Sequence, residues 1–165
     1  MALARLRAAL STWPDAPGWK RIARELLWGL PLIALLAFTT GLARFEPMPF
    51  GSGWLAFFLG LMLVPALGEE LVFRALLVPL PGQAFPAWQA VLAVALFLLW
   101  HPFQALTFGP PWSAIFLDWH FLAIVAVLGT LLVRIYRATG SIWPCVAAHW
   151  LVVAAWKLVF AGPIG

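Results

Sequence analysis

Five long apolar stretches constrain the fold of this chain more than any other feature of its sequence. They lie at about 26–43, 51–80, 86–105, 113–134 and 141–160, and short segments rich in proline, glycine or charge separate them. A helix needs about 20 apolar residues to cross a bilayer. Because 64% of the residues are hydrophobic and 10% are charged, the chain could not cover a water-soluble domain with polar groups. We predict an all-α, polytopic bundle of about five or six transmembrane helices.

The stretch 51–80 is ambiguous because of its length. As one straight helix it would be roughly 45 Å long, whereas the hydrocarbon core of a bilayer is about 30 Å thick. It must tilt, kink near Pro65 or Gly68, or divide into two helices.

The basic residues predict which side of the membrane holds the N-terminus. If 51–80 crosses once, seven basic residues lie at one end of the bundle and two, Arg44 and Lys157, at the other. The seven are Arg5, Arg7, Lys20, Arg21, Arg24, Arg134 and Arg137. Cytoplasmic segments carry the excess of Lys and Arg. We therefore expect a multi-pass protein of the bacterial inner (plasma) membrane with a cytoplasmic N-terminus; a double crossing by 51–80 would reverse the later spans.

The chain divides into a basic segment at 1–24 and a transmembrane domain at 25–165. Residues 1–12 have a helical apolar stripe, which fits a short interfacial helix and a disordered basic tail equally well. The net charge of +4 does not indicate nucleic-acid binding, because the basic residues form no soluble patch.

Ionisable residues inside membrane spans mark the candidate site. Each costs about 2.5–3.5 kcal/mol at a helix centre, and such residues are functional by default. This chain has Glu69, Glu70, Arg74, His101, Asp118, His120 and His149 within or beside its apolar stretches.

Helix geometry separates the two glutamates. Glu70 and Arg74 are four residues apart, so they share a helix face and can pair. Glu69 lies about 100° away around the helix axis. A carboxylate without a partner on its own helix, in a medium of low dielectric, is a candidate general base. The alternative is that all three residues form one inert ion-pair cluster.

The depths of two histidines match that of Glu69. From the helix rise, Glu69 is roughly 16 Å, His101 roughly 22 Å and His149 roughly 12 Å from the same end of the bundle. The three side chains are therefore expected to converge on one cavity.

Other chemistries have less support. The H-E-x-x-H pattern of zincins is absent, and a zinc site assembled from three helices has no local signal, so we expect no metal ion and no cofactor. No G-x-S-x-G is present, and Ser52, Ser113 and Ser141 are expected to lie away from the cavity. Cys145, one helical turn before His149, is expected to be a buried packing residue rather than a nucleophile.

Three motifs in order resemble one known family. They are E-E-x-x-x-R at 69–74, F-x-x-x-H from Phe97 to His101, and a later His149 after the G-S-I-W-P sequence at 140–144. Over about residues 50–155 the chain resembles the CAAX protease and bacteriocin-processing family, which consists of glutamic intramembrane endopeptidases.

The resemblance implies a role for each motif residue. Glu69 would activate water together with His101, and His149 would help to stabilise the oxyanion. Glu70 and Arg74 would orient their helix, and Phe97 would have a supporting role as the first residue of its motif.

One position departs from the family pattern. The family's last motif is H-x-x-x-N or H-x-x-x-D, whereas Val153 stands at the Asn position here. Asp118, His120 or a backbone N–H are the candidates for the missing polar group.

The sequence therefore predicts an intramembrane endopeptidase that cleaves near the C-terminus, or in the membrane-proximal part, of a membrane-associated protein or peptide. Its partners would be that substrate and the lipid bilayer, with no nucleic acid. Prenylated proteins, bacteriocin precursors and sorting-signal tails all remain open as substrates. The alternatives are a non-catalytic scaffold or immunity-like protein, for which Val153 is the best support, and a proton-coupled transporter.

Overall fold

The computed structural model describes residues 2–163, and its regular elements are helices. They are α1 (Ala2–Ser11), α2 (Ala16–Thr39), α3 (Trp54–Leu76), α4 (Ala87–Thr107), a 3₁₀ helix (Pro111–Leu117), α5 (Trp119–Thr139) and α6 (Trp143–Val159). Helices α2 to α5 are long and apolar enough to cross a membrane, and α6 is a shorter apolar helix of 17 residues. The predicted all-α transmembrane bundle is confirmed.

The N-terminal segment is helical and packs on the bundle. The backbone N–H of Ile142 donates to Ala9 at 3.1 Å, and the Trp143 indole donates to Leu10 at 2.9 Å. α2 then begins at Ala16, ten residues before the predicted start at Leu26, because the Asp15 side chain accepts the N–H of Gly18 at 2.7 Å and caps the helix. The boundary drawn between residues 24 and 25 lies inside α2.

A kink at Val64 divides α3. Val64 has an extended backbone (φ −134°, ψ 115°), and the next residue, Pro65, has no N–H to continue the helical ladder. α3 is thus one helical segment of 23 residues with two differently directed halves. The bend expected near Pro65 is present, and the non-helical residue Val64 divides the segment into two helical parts that together cross the bundle once.

α5 is the most deeply buried of the long helices, and small residues bring its neighbours close. A Cβ on Gly29 of α2 would lie 2.8 Å from the Leu131 side chain of α5. A bidentate ion pair adds a polar contact between the same helices, with Arg134 Nε and Glu25 Oε2 2.6 Å apart.

Hydrogen bonds define two ends of the bundle. At the N-terminal end, α1 meets the start of α6, and Arg137 near the end of α5 donates to Pro79 beyond α3 at 2.9 Å. At the opposite end, Glu46 N–H donates to Val159 at 3.0 Å, which joins the α2–α3 loop to the end of α6. Successive long helices therefore run in opposite directions, and α3 passes from one end to the other once.

Candidate active site

An irregular part of α3 carries the two glutamates. The α-helical turn Gly68–Glu70 lies beyond the non-helical residue Val64, and a π-helical turn at Leu71–Leu76 follows it. Such turns are rare in α-helices and are frequently found at functional sites. The side chains of Glu69, Glu70 and Arg74 are all buried in the protein interior.

Glu70 joins α3 to α6 through an ion pair and a hydrogen bond. Its Oε2 lies 3.1 Å from Arg74 Nε, and its Oε1 lies 2.9 Å from His149 Nδ1. The predicted pairing of Glu70 with Arg74 is therefore present. With the proton on Nδ1, His149 donates to Glu70 and turns its other ring nitrogen toward Glu69.

Glu69 has a different environment. Its Oε1 accepts the Trp100 indole N–H at 3.0 Å, while its Oε2 lies 3.9 Å from His149 Nε2. That separation is longer than a direct hydrogen bond, and Oε2 has no hydrogen-bond partner within residues 2–163. One carboxylate oxygen is thus fixed, and the other is free to receive a proton.

His101 is oriented by its own helix. Its Nδ1 lies 3.0 Å from the backbone carbonyl of Phe97, one turn earlier in α4, and the rings of Phe116 and Phe121 pack around it at 5.2 and 5.6 Å between centroids. With the proton on Nδ1, the other ring nitrogen of the neutral imidazole is an acceptor.

The Phe97 ring packs against the polar residues of the site. Its centroid lies 5.1 Å from the His101 ring and 5.8 Å from the His149 ring, and the Arg74 guanidinium lies 4.2 Å from it. Gly129 of α5 allows this position, since a Cβ there would be 3.0 Å from the Phe97 ring. Phe97 thus contacts residues from α3, α4 and α6 at once.

Glu69, His101 and His149 line one cavity of about 670 Å³. The remaining walls are mostly apolar and come from α2, both halves of α3, the 3₁₀ helix, α5 and α6. Lys157 and Trp112 also line the cavity. The arrangement combines a carboxylate and two imidazoles with space for an apolar ligand.

Two residues suggested as replacements for the missing polar group lie elsewhere. Asp118 caps α5 by accepting the His120 N–H at 2.7 Å, and its carboxylate lies 3.0 Å from the His120 ring. The His120 backbone N–H lowers the pKa of Asp118. Neither residue is among those that line the cavity, whereas Val153 is.

The placement of Ser113 was wrong. Ser113 is buried and lines the cavity, although its hydroxyl donates to the Pro110 carbonyl at 2.6 Å. Cys145 is buried with its Sγ 3.5 Å from the Leu132 carbonyl, whereas the ring nitrogens of His149 face the two glutamates.

Donor groups for a metal do not assemble in the part of the chain that the structure describes. Within residues 2–163, no three His, Cys, Asp or Glu side chains form a cluster that could hold a metal ion.

Sequence reasoning missed Trp100, which donates to Glu69, and Lys157, which lines the cavity. Apart from its position next to His101, nothing in the sequence indicates that Trp100 belongs to the site. Lys157 was assigned to the membrane boundary, yet it lies eight residues after His149, on a helix face that overlaps with that of the histidine.

A comparison with protein families finds a match over nearly two thirds of the chain. The family model described as type II CAAX prenyl endopeptidase, Rce1-like, matches residues 51–155. This range includes α3, α4, α5 and most of α6. No curated protein and no solved structure matches the chain.

Proposed function

Since the chain belongs to the Rce1-like family of type II CAAX prenyl endopeptidases, and is therefore a membrane-embedded protease, we propose that Glu69 is the general base of a glutamic peptidase. The reaction would be hydrolysis of a peptide bond in a membrane-associated protein or peptide, close to its C-terminus. The apolar walls of the cavity favour an apolar substrate segment.

The free oxygen of Glu69 carries this proposal. Oε2 faces His149 Nε2 across 3.9 Å and has no other partner in the described chain, while Trp100 fixes Oε1. A water at this position can give a proton to Oε2 as its oxygen attacks the scissile carbonyl. A positioned general base of this kind contributes about 10²- to 10⁴-fold to a rate.

His101 would assist the same step. Because its Nδ1 is bonded to the Phe97 carbonyl, the acceptor nitrogen of the neutral ring remains available to hold the water. The proton taken up by Glu69 would then pass to the leaving amine, so that the carboxylate is regenerated.

His149 would stabilise the oxyanion of the tetrahedral intermediate. Its Nδ1 is bonded to Glu70, which is itself paired with Arg74 on the next turn of α3. Glu70 and Arg74 would thereby act as positioning residues, and Nε2, when protonated, would be the donor to the oxyanion.

Replacing Glu69 by Gln tests the proposal. We expect at least a 100-fold loss of kcat on a lipidated peptide that ends in farnesyl-cysteine and three further residues, because Gln cannot accept the proton. The products of purified wild type and Glu69→Gln would be identified by mass spectrometry in detergent.

Glu46→Gln is the matched control, since Glu46 is exposed, pairs with Arg44 and is not among the residues that line the cavity. Thermal unfolding of each variant checks that it is folded. Cleavage by Glu69→Gln at the wild-type rate would show that another group is the base.

A further inference from the structure

Lys157 is a buried cation in the wall of the reaction cavity. Its side chain lies on α6, two turns beyond His149, and only 8% of the residue is exposed. The ammonium lies 3.8 Å from the centroid of the Trp112 ring and donates to the Pro163 carbonyl.

No anion balances this charge in the described chain. The ion pairs within residues 2–163 use Glu25, Glu46, Glu69, Glu70 and Asp118, none of them with Lys157. A π face and a carbonyl compensate a cation only in part, and buried charges are usually paired. A basic residue in the last turn of a helix also interacts favourably with free carbonyls. That role explains the contact with Pro163, but it does not require a place in the cavity wall.

The spacing of Lys157 and His149 along α6 corresponds to the length of a short extended peptide. Eight residues of α-helix separate Lys157 from His149, which is a rise of about 12 Å. An extended chain covers about 3.3–3.6 Å per residue. An extended substrate segment of three or four residues therefore has about the same length as the rise along α6 from His149 to Lys157.

We propose that Lys157 binds the C-terminal carboxylate of the substrate, and that this contact gives the protein a preference for a free acid over a blocked C-terminus. This inference rests on the proposed function, because it takes Glu69 and His149 as the point of cleavage. The ammonium and a carboxylate would form a charge-assisted hydrogen bond, and Trp112 would hold the lysine in place from one side.

A substrate carboxylate fits this cation better than a lipid phosphate does. Lys157 lines the same cavity as Glu69, His101 and His149 and is largely buried, whereas lysines that contact headgroups extend toward the membrane surface. The experiment separates the two sources of negative charge.

The test compares two peptides that differ only at the C-terminus. Both end in farnesyl-cysteine and three further residues, one as the free acid and one as the amide. We expect wild type to cleave the acid with a kcat/KM about 10- to 100-fold higher, as for a hydrogen bond to a charged group. Lys157→Gln should cleave both peptides at about the rate of the amide, and Lys157→Arg should keep the preference.

Lys20→Gln is the control for removal of one positive charge, because Lys20 is exposed on α2. Equal wild-type rates for the two peptides would overturn the proposal, whether or not Lys157→Gln folds. An acid preference that survives in Lys157→Gln, or an equal loss on both peptides, would overturn it as well. Loss of the preference on adding phosphatidylglycerol would instead assign Lys157 to a headgroup and also overturn it.

Binding separates this proposal from the proposed function. Fluorescence anisotropy would measure both peptides on Glu69→Gln and on Glu69→Gln/Lys157→Gln. A Lys157-dependent preference for the acid without cleavage by wild type supports the carboxylate site and contradicts the peptidase assignment. Cleavage that depends on Glu69, without a preference for the acid in binding, supports the peptidase assignment and contradicts the carboxylate site.

Discussion

Adjacent glutamates have different partners in this protein. Glu70 faces Arg74 and His149 and is fully enclosed, whereas Glu69 faces Trp100 and the cavity. The cause is the 100° step between successive helical residues, which directs neighbouring side chains toward different helices. Both oxygens of Glu70 thereby lie close to a partner, whereas the nearest charged partner of Glu69 Oε2 is His149 at 3.9 Å.

The Trp100 indole is expected to matter for activity because it fixes Glu69. Trp100→Phe removes the N–H donor and keeps an aromatic ring. We expect kcat/KM to fall about tenfold, the usual effect of losing a hydrogen bond to a charged group. Steady-state kinetics on the farnesylated peptide would measure this change.

Trp88→Phe is the matched control, since Trp88 lies on the same helix and is largely exposed. If Trp100→Phe retains wild-type kinetics, the orientation of Glu69 does not depend on the indole.

At the scale of elements, the shape of α3 brings its glutamates into the cavity wall. The kink at Val64 changes the direction of the helix before Glu69 and Glu70, and the π turn at Leu71–Leu76 alters which face carries the residues that follow them. Val64 and Pro65 themselves line the cavity. The same irregularity thus forms the wall and presents the carboxylate.

Close packing of α2 on α5 depends on Gly29. In Gly29→Ala the new Cβ would lie 2.8 Å from the buried Leu131 side chain, so this side chain or one of the two helices must shift. We expect the free energy of unfolding to fall by about 1–3 kcal/mol, as in other overpacked cores. Thermal unfolding in detergent would show a lower Tm.

Gly60→Ala should instead raise the free energy of unfolding. A Cβ on Gly60 of α3 meets open space, and Ala is favoured over Gly within a helix by up to about 1 kcal/mol. A Gly29→Ala protein with an unchanged Tm would mean that α2 and α5 adjust to the added methyl group without cost.

At the scale of the whole molecule, the two ends of the bundle differ in charge. Arg5 donates to the Val78 carbonyl and Arg137 to Pro79, so these basic residues gather at the N-terminal end. Arg44 and Lys157 lie at the opposite end. α3 passes between the ends once, as the count of basic residues at each end assumed. The excess of basic residues at the N-terminal end therefore still predicts that this end faces the cytoplasm.

Orientation can be measured with single cysteines. Ser11→Cys and Ser52→Cys place exposed thiols at the two ends, while the parent chain has only the buried Cys145 and serves as the blank. With a cytoplasmic N-terminus, a membrane-impermeant maleimide should label Ser52→Cys in intact bacterial cells and Ser11→Cys only after permeabilisation. The reverse pattern would place the N-terminus outside.

The sequence alone was sufficient for properties that depend on local periodicity. The transmembrane helices follow from runs of apolar residues, and the Glu70–Arg74 pair follows from a spacing of four on one helix. Both depend on neighbours along the chain. Local signals were weaker at the helix boundaries, since the Asp15 cap starts α2 ten residues before the hydrophobic stretch begins.

Contacts between helices were decided only by the tertiary structure. Three features of the site depend on segments that are distant in the sequence. They are the approach of Glu69 to His149, the hydrogen bond from Trp100 to Glu69, and the position of Ser113 and Lys157 in the cavity wall. Such contacts depend on helix rotation and on where a helix bends, which apolar composition does not encode. The packing of α3, α4 and α6 around Phe97 therefore determines how the residues found in the sequence are arranged in space.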